Sequence, residues 1–266
     1  MTSGPIGVFD SGIGGLTVAR AIVSALPDVD LVYLGDTARL PYGAKSPLTV
    51  TRYASRCVGF LAAAGVEAVV VACNTASALA LPALREAFPD LPILGVVSPG
   101  ARAAVTASRT GRIGVIGTEA TVRSHSYREA IHALAPTAEV VELPCPLLVP
   151  LAEVGWIDHP VTRLTLETYL APLVRDHAID ALVLGCTHYP VLEGPIAAVL
   201  AALVPDRRIA LVDSADAVTR ELQALGLSLS LGGRRRFAVT DLPDRFRSMA
   251  EAFFGGGGIA LEVVDL

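Results

Sequence analysis

Short apolar runs alternate with longer amphipathic or alanine-rich stretches along the whole chain. PIGVF, DLVYLG, EAVVVA and LPILGV have the length and β-branched content of buried strands, and GRIGVIG, EVVELP, DALVLG and RIALVD repeat the pattern further on. Between them, residues 15–26, 48–64, 76–88 and 161–177 read as helices. This rhythm predicts an α/β fold of mainly parallel sheets with helices on both faces. No low-complexity tract interrupts it. The one segment that reads as a loose turn is Gly255–Gly258, between a C-terminal helix and a last strand.

The pattern also recurs within the chain. VEAVVVACNT (66–75) aligns without a gap on IDALVLGCTH (179–188), an offset of 113 residues, and IGVFDS (6–11) resembles IGVIGT (113–118) at an offset of 107. Buried parallel strands resemble one another in general, and the second pair goes no further than that. The cysteine shared by the first pair favours a duplication, hence two similar α/β lobes.

Composition sharpens this picture in three ways. A chain of 266 residues is long enough for one large domain or two small ones. Its mean hydropathy of +0.55 raises the membrane question. The longest suspicious charge-free run, residues 68–84, spans 17 positions but contains Asn74, Thr75, Ser77 and Pro82, so it does not read as a spanning helix. The first residues carry neither a charged leader nor a long apolar stretch, and a cytoplasmic site is expected. A net charge of −5 gives no general affinity for nucleic acid or anionic lipid. The basic run Arg234–Arg236 beside two glycines reads as a solvated strand start rather than a nucleic-acid contact.

Cysteines stand at 57, 73, 145 and 186, with no CxxC spacing to signal zinc or a redox motif. Reduced thiols are expected, which leaves the question of which are packing groups and which do chemistry. Ligands of open α/β sheets bind beyond the carboxyl ends of strands, and four such ends carry unusual polar residues. Asp10-Ser11-Gly12-Ile13-Gly14-Gly15 follows PIGVF; a dinucleotide fingerprint would need glycine at 17, where threonine stands. Asp10 taken alone reads first as a cap for the next helix. Gly35-Asp36-Thr37 through Pro41-Tyr42-Gly43 is a long polar loop, either a ligand cover or an ordinary surface loop. Cys73-Asn74-Thr75 and Cys186-Thr187-His188 follow the two aligned strands, where a helix start and a histidine favour reactive sulfur.

Two strand-end cysteines, one per lobe, suit a reaction that needs matched acid/base groups on opposite faces of one carbon: stereoinversion by proton removal and return across a cleft between the lobes. Two other readings stay open at this point. A cysteine nucleophile with His188 as base leaves the second cysteine unused. A two-lobed binding protein leaves both unused.

The motifs FDSGIGGLTV (9–18), GDTARLPYGAKS (35–46), ACNTAS (72–77), IGVIGTEAT (113–121), LGCTHYP (184–190) and VDSA (212–215) together resemble the bacterial glutamate racemases, within the cofactor-independent aspartate/glutamate racemase superfamily. PYG and CTHYP resemble the glutamate rather than the aspartate enzymes. The resemblance runs from about Ile6 to Asp265. It implies interconversion of L- and D-glutamate with neither pyridoxal phosphate nor metal, feeding the peptide stem of peptidoglycan. It makes Cys73 and Cys186 the acid/base pair, assisted by Asp10 and His188 respectively. Asp10, Ser11, Tyr42, Gly43, Asn74, Thr75, Thr187 and His188 match substrate contacts, and Thr118 and Thr121 match threonines near a substrate carboxylate. Glu153, in PLAEVG, resembles a glutamate behind the histidine. The resemblance also divides the chain into a first lobe, 1–97 completed by 208–266 and carrying Cys73, and a second, 98–207, carrying Cys186. Lys45 is the only lysine, so neutral donors and backbone N–H groups are expected to hold the carboxylates. Many relatives are dimers, and the long apolar helices permit a homodimer without marking its seam. Cys57 and Cys145 are expected to be buried packing groups.

Overall fold

The computed structural model describes residues 3–241, 244–256 and 259–266. Among the described residues ten strands run in chain order: β1 (Ile6–Asp10), β2 (Leu31–Gly35), β3 (Ala68–Val71), β4 (Ile93–Gly95), β5 (Arg112–Gly117), β6 (Glu139–Pro144), β7 (Ala181–Gly185), β8 (Ala210–Val212), β9 (Arg235–Val239) and β10 (Leu261–Val263). They form a six-stranded sheet in the order β10-β9-β2-β1-β3-β4 and a four-stranded sheet in the order β6-β5-β7-β8. Every neighbouring pair is parallel. That explains the apolar runs: β1, β2, β3 and β7 are buried at every position, as strands covered on both faces must be.

The internal repeat is visible in the topology. The orders β2-β1-β3-β4 and β6-β5-β7-β8 are the same pattern. The aligned segments fall on equivalent strands, β1 with β5 and β3 with β7. β9 and β10 extend only the first sheet. The chain divides into one compact unit of residues 1–96 and 215–266, and another of 97–214. The return to the first unit thus begins at Ala215, not near 208, because β8 is hydrogen-bonded to β7 in the second sheet.

Local chemistry accounts for the helices. Ser46 caps helix Pro47–Ala63 by accepting the Thr49 N–H, and Pro47 opens its first turn, where a missing N–H costs nothing. Val50, Ala54, Cys57, Val58 and Leu61 recur at helical spacing and are buried against Phe9, Leu34, Val69 and Val71. The segment 76–88, which reads as one helix, is two: Asn74–Leu79 and Leu81–Ala87. Pro82 has no N–H to give and its ring crowds the preceding turn, so the helix restarts there. The second unit has its own core, with Ile116, Leu166, Leu170, Leu182, Leu184 and Ile196 fully enclosed. Truncating any one of these to alanine is expected to cost about 2–5 kcal/mol.

The arginine run lies at the start of β9, and its first and third members are engaged in ion pairs. Arg234 donates twice to Asp30 Oδ2, from Nε at 3.0 Å and Nη2 at 2.6 Å, while its backbone N–H reaches Oδ1 at 2.8 Å. These hydrogen bonds hold the Asp30 carboxyl well below the usual carboxylate range. Arg236 pairs with Glu262 of β10 at 2.5 Å. Gly257 and Gly258 of the expected glycine turn lie outside the described residues. No helix among the described residues is long and apolar enough to cross a membrane.

Candidate active site

In a sheet of order 2-1-3-4 the chain switches direction between the first and third strands, and the loops leaving those two strands diverge to open a crevice. In the first unit these are the loops after β1 and β3. They carry Asp10 and Ser11 on one side and Cys73, Asn74 and Thr75 on the other, all buried. The Cys73 thiol donates to Ser11 Oγ at 3.3 Å, joining the two loops. Cys73 is also the N-cap of helix Asn74–Leu79, and its sulfur accepts the Ala76 N–H at 3.4 Å. A main-chain donor therefore fixes the sulfur from behind.

Asp10 does not cap the next helix. That helix, Leu16–Ala25, has Gly15 as its N-cap, with no side-chain capping bond. Asp10 Oδ2 instead accepts the Gly12 N–H at 2.9 Å and shapes the turn that presents Ser11. Two glycines make this possible by close approach. A Cβ on Gly15 would stand 2.4 Å from Asp10 Cβ, and one on Gly35 would stand 2.1 Å from the Gly12 carbonyl oxygen. The same carbonyl accepts the Tyr33 hydroxyl at 2.8 Å.

Tyr42 and Gly43 head a short 3-10 turn, Tyr42–Ala44, in the loop after β2. The Tyr42 hydroxyl is not free for a ligand: it donates to Asp36 Oδ2 at 2.6 Å. Burial pushes this phenol far up, and Asp36 adds to it, so it remains a donor.

In the second unit the equivalent loops follow β5 and β7. Thr118 caps helix Glu119–Arg123 by accepting the Thr121 N–H at 3.2 Å, and the two threonine hydroxyls lie 3.0 Å apart. Cys186 follows β7 and is followed by a 3-10 turn, Tyr189–Leu192, rather than directly by an α-helix. Cys186, Thr187 and His188 are buried. His188 Nδ1 lies 3.9 Å from Cys186 Sγ, and its Nε2 lies 3.3 Å from Glu153 Oε1, at the end of helix Leu148–Glu153. Burial works against a charged imidazole here. Its hydrogen bond with Cys186 and its ion pair with Glu153 outweigh burial and push His188 up to about 10. At neutral pH it carries its proton.

The other two cysteines have no such partners. Cys57 and Cys145 are completely buried, and burial pushes both thiols up, away from the thiolate.

The site residues named from sequence thus fall into two clusters, one per unit. Asp10, Ser11, Cys73, Asn74, Thr75, Tyr42 and Gly43 belong to the first; Thr118, Thr121, Cys186, Thr187, His188 and Glu153 belong to the second. Sequence reasoning passed over the Ala76 N–H, whose part is set by the turn after Cys73. It also gave no role to Asp36, although that residue lies within a quoted motif.

Comparison with known proteins identifies the family. The Asp/Glu/Hydantoin racemase family model matches residues 6–222. Glutamate racemase from Geobacter metallireducens is 48% identical over 257 residues, covering 94% of this chain and 93% of its own length. The crystal structure of glutamate racemase from Francisella tularensis, in complex with D-glutamate, superposes with a TM-score of 0.90 at 36% identity, covering 99% of this chain and 98% of that one. The Escherichia coli enzyme, in a complex that includes L-glutamate, gives a TM-score of 0.80 at 30% identity, covering 99% of both chains. On its family match and its near-full-length relatives, the chain belongs to the Asp/Glu/Hydantoin racemase family, among the glutamate racemases.

Proposed function

We propose that this racemase inverts glutamate by a two-thiol mechanism, with Cys73 and Cys186 acting on opposite faces of the α-carbon. One sulfur, as thiolate, takes the α-proton. The other, as thiol, delivers a proton to the opposite face. In the reverse direction the roles exchange, which is why both groups are of one kind. The observation that carries this reading is the repeat: equivalent strand ends of two like sheets each hold a buried cysteine next to a proton-bearing partner.

The partners divide the work. Ser11 can hold the Cys73 sulfur in either protonation state, accepting from the thiol or donating to the thiolate. Asp10 keeps the Ser11 turn in place and assists on that side. His188, protonated and paired with Glu153, gives its proton to the Cys186 thiolate or takes it back, and so poises that sulfur as thiol or thiolate. The α-proton of an amino acid is a weak acid, so the developing carbanion needs strong stabilisation. Preorganised neutral donors supply it: the hydroxyls of Ser11, Thr75, Thr118, Thr121 and Thr187, the Asn74 amide and the N–H groups of Tyr42 and Gly43. Relatives with D- or L-glutamate bound support glutamate as the substrate. By the same family likeness the product D-glutamate serves the peptide stem of peptidoglycan, in the cytoplasm.

A second reading has one observation in its favour, the 3.9 Å approach of His188 to Cys186, which suits a cysteine nucleophile and its base. It gives Cys73 no task. The discriminating experiment is incubation of the purified, reduced protein with L-glutamate in D₂O without added cofactor, followed by proton NMR and chiral analysis. The proposal expects loss of the α-proton signal, appearance of D-glutamate, and loss of both in Cys73→Ala and in Cys186→Ala. Full racemisation by either single variant would refute it.

A further inference from the structure

Asp36 is fully buried at the end of β2, and its carboxylate gathers three donors. Tyr42 Oη reaches Oδ2 at 2.6 Å, while Arg39 Nη1 and Thr240 Oγ1 each reach Oδ1 at 2.9 Å. Two of the three belong to the loop that ends in Tyr42 and Gly43. The third comes from just beyond β9, 204 residues away in sequence. Thr240 Oγ1 also accepts the Ala38 N–H at 2.9 Å, so one hydroxyl ties the loop backbone to the buried carboxylate. Beside it, the Thr37 hydroxyl donates to the Asp241 carbonyl, and the Asp241 N–H returns a bond to Thr37 Oγ1 at 2.8 Å. Arg39 reaches on to the Leu266 carbonyl at 2.5 Å.

We infer that Asp36 and Thr240 are positioning residues, and that through them the added strand β9 sets the Tyr42–Gly43 backbone against the substrate. The inference rests on the reading of Tyr42 and Gly43 as substrate contacts. Its physical basis is that a 3-10 turn of three residues makes too few internal bonds to hold its own place. Here the loop takes its position from a carboxylate that cannot leave the core and from a hydroxyl just past the end of β9, a strand that extends only the first sheet. The N–H groups it presents bind substrate before and during proton transfer alike. Disturbing them should therefore raise KM more than it lowers kcat.

The test uses the full-length protein with Thr240→Val, a shape-matched change that removes only the hydroxyl, and Thr240→Ser, which restores it. Loss of a bond to a charged group predicts that Thr240→Val raises KM for both glutamate enantiomers about tenfold while kcat stays within about twofold, and that Thr240→Ser returns KM to the parent value. Hydrogen exchange over residues 37–45, measured in parallel, should quicken in the valine variant and recover in the serine variant. An unchanged KM with unchanged exchange overturns the inference, as does a loss of kcat alone. If the parent protein does not racemise glutamate, the functional reading fails by itself. The exchange measurement then decides the loop claim: quickened exchange supports the clamp, and unchanged exchange refutes it.

Discussion

Beside Cys73 stand a serine hydroxyl, a main-chain N–H and, one residue before that serine, a buried aspartate. Beside Cys186 stand an imidazole and, behind it, a carboxylate. The two surroundings differ although the scaffold beneath them is one strand pattern used twice. The repeat preserves what the reaction requires on both sides, a sulfur at the end of the third strand. It leaves free what the reaction can obtain in more than one way, the group that attends the proton. The symmetry of the chemistry therefore lies in the thiols and the asymmetry in their helpers. Each helper should make its mark on one direction of the reaction more than on the other.

The comparison breaks most completely if either sulfur is dispensable. Cys73→Ala and Cys186→Ala should each lower kcat/KM about 10³–10⁴-fold in both directions, with the double variant scarcely worse than either single one, as expected of groups that act as a unit. Circular dichroism would establish that the variants fold, and a single variant above about a tenth of parent activity would end the symmetrical account.

A smaller effect is expected where packing rather than chemistry is disturbed. Gly15→Ala places a methyl 2.4 Å from Asp10 Cβ, so the Asp10–Ser11 turn must shift. Overpacking of this kind costs about 1–3 kcal/mol, and a displaced catalytic turn about 10²-fold in rate. Thermal melts and steady-state kinetics on one preparation test both, and parent-like kinetics would show that Asp10 need not hold its place.

His188→Asn sharpens the comparison by pH. The folded pKa of His188 lies above the ordinary imidazole value, so its contribution to stability is complete below 6.5 and is lost as pH rises through about 10. The stability advantage of the parent over His188→Asn should accordingly shrink across that interval in denaturant titrations. A constant difference would remove the charged imidazole from the account. Activity should fall about 10–100-fold, unequally for L- and D-glutamate, whereas Ser11→Ala should favour the opposite direction. The smallest effect is expected at the silent thiols: Cys57→Ala with Cys145→Ala should keep kcat within about twofold at a cost of about 1–2 kcal/mol for each lost buried group.

The same contrast explains what was legible before the structure. The strands β1, β2, β3 and β7 stand out because doubly covered parallel strands are continuous apolar runs, and their ends stand out because polar residues follow abruptly. Both cysteine sites were visible for that reason. The first strand of the extension was legible at its start, as a solvated strand entrance: Arg235 and Arg236 are exposed where β9 begins, but Arg234 is explained by Asp30, far off in sequence. The break in 76–88 was signalled by Pro82 and needed only a stricter reading. The boundary after Ser214 was not legible, because β8 pairs with β7 through backbone groups that leave no mark on side-chain pattern. Asp36 escaped for the same kind of reason, since its meaning lies in Thr240. The Tyr42 hydroxyl would have been taken for a ligand group until its partner was seen.

The central claim is that two monoprotic bases, one per face, carry the inversion. Racemisation in D₂O followed to low conversion from each enantiomer in turn, with deuterium at the α-carbon counted separately in substrate and product, tests it most directly. A thiol that has just taken a substrate proton cannot hand it to the opposite face, so the product should carry solvent deuterium while the remaining substrate keeps its hydrogen, whichever enantiomer is the starting material. Equal labelling of both enantiomers from the outset, or product that retains the substrate's own hydrogen, would mean that a single base serves both faces and would contradict the account.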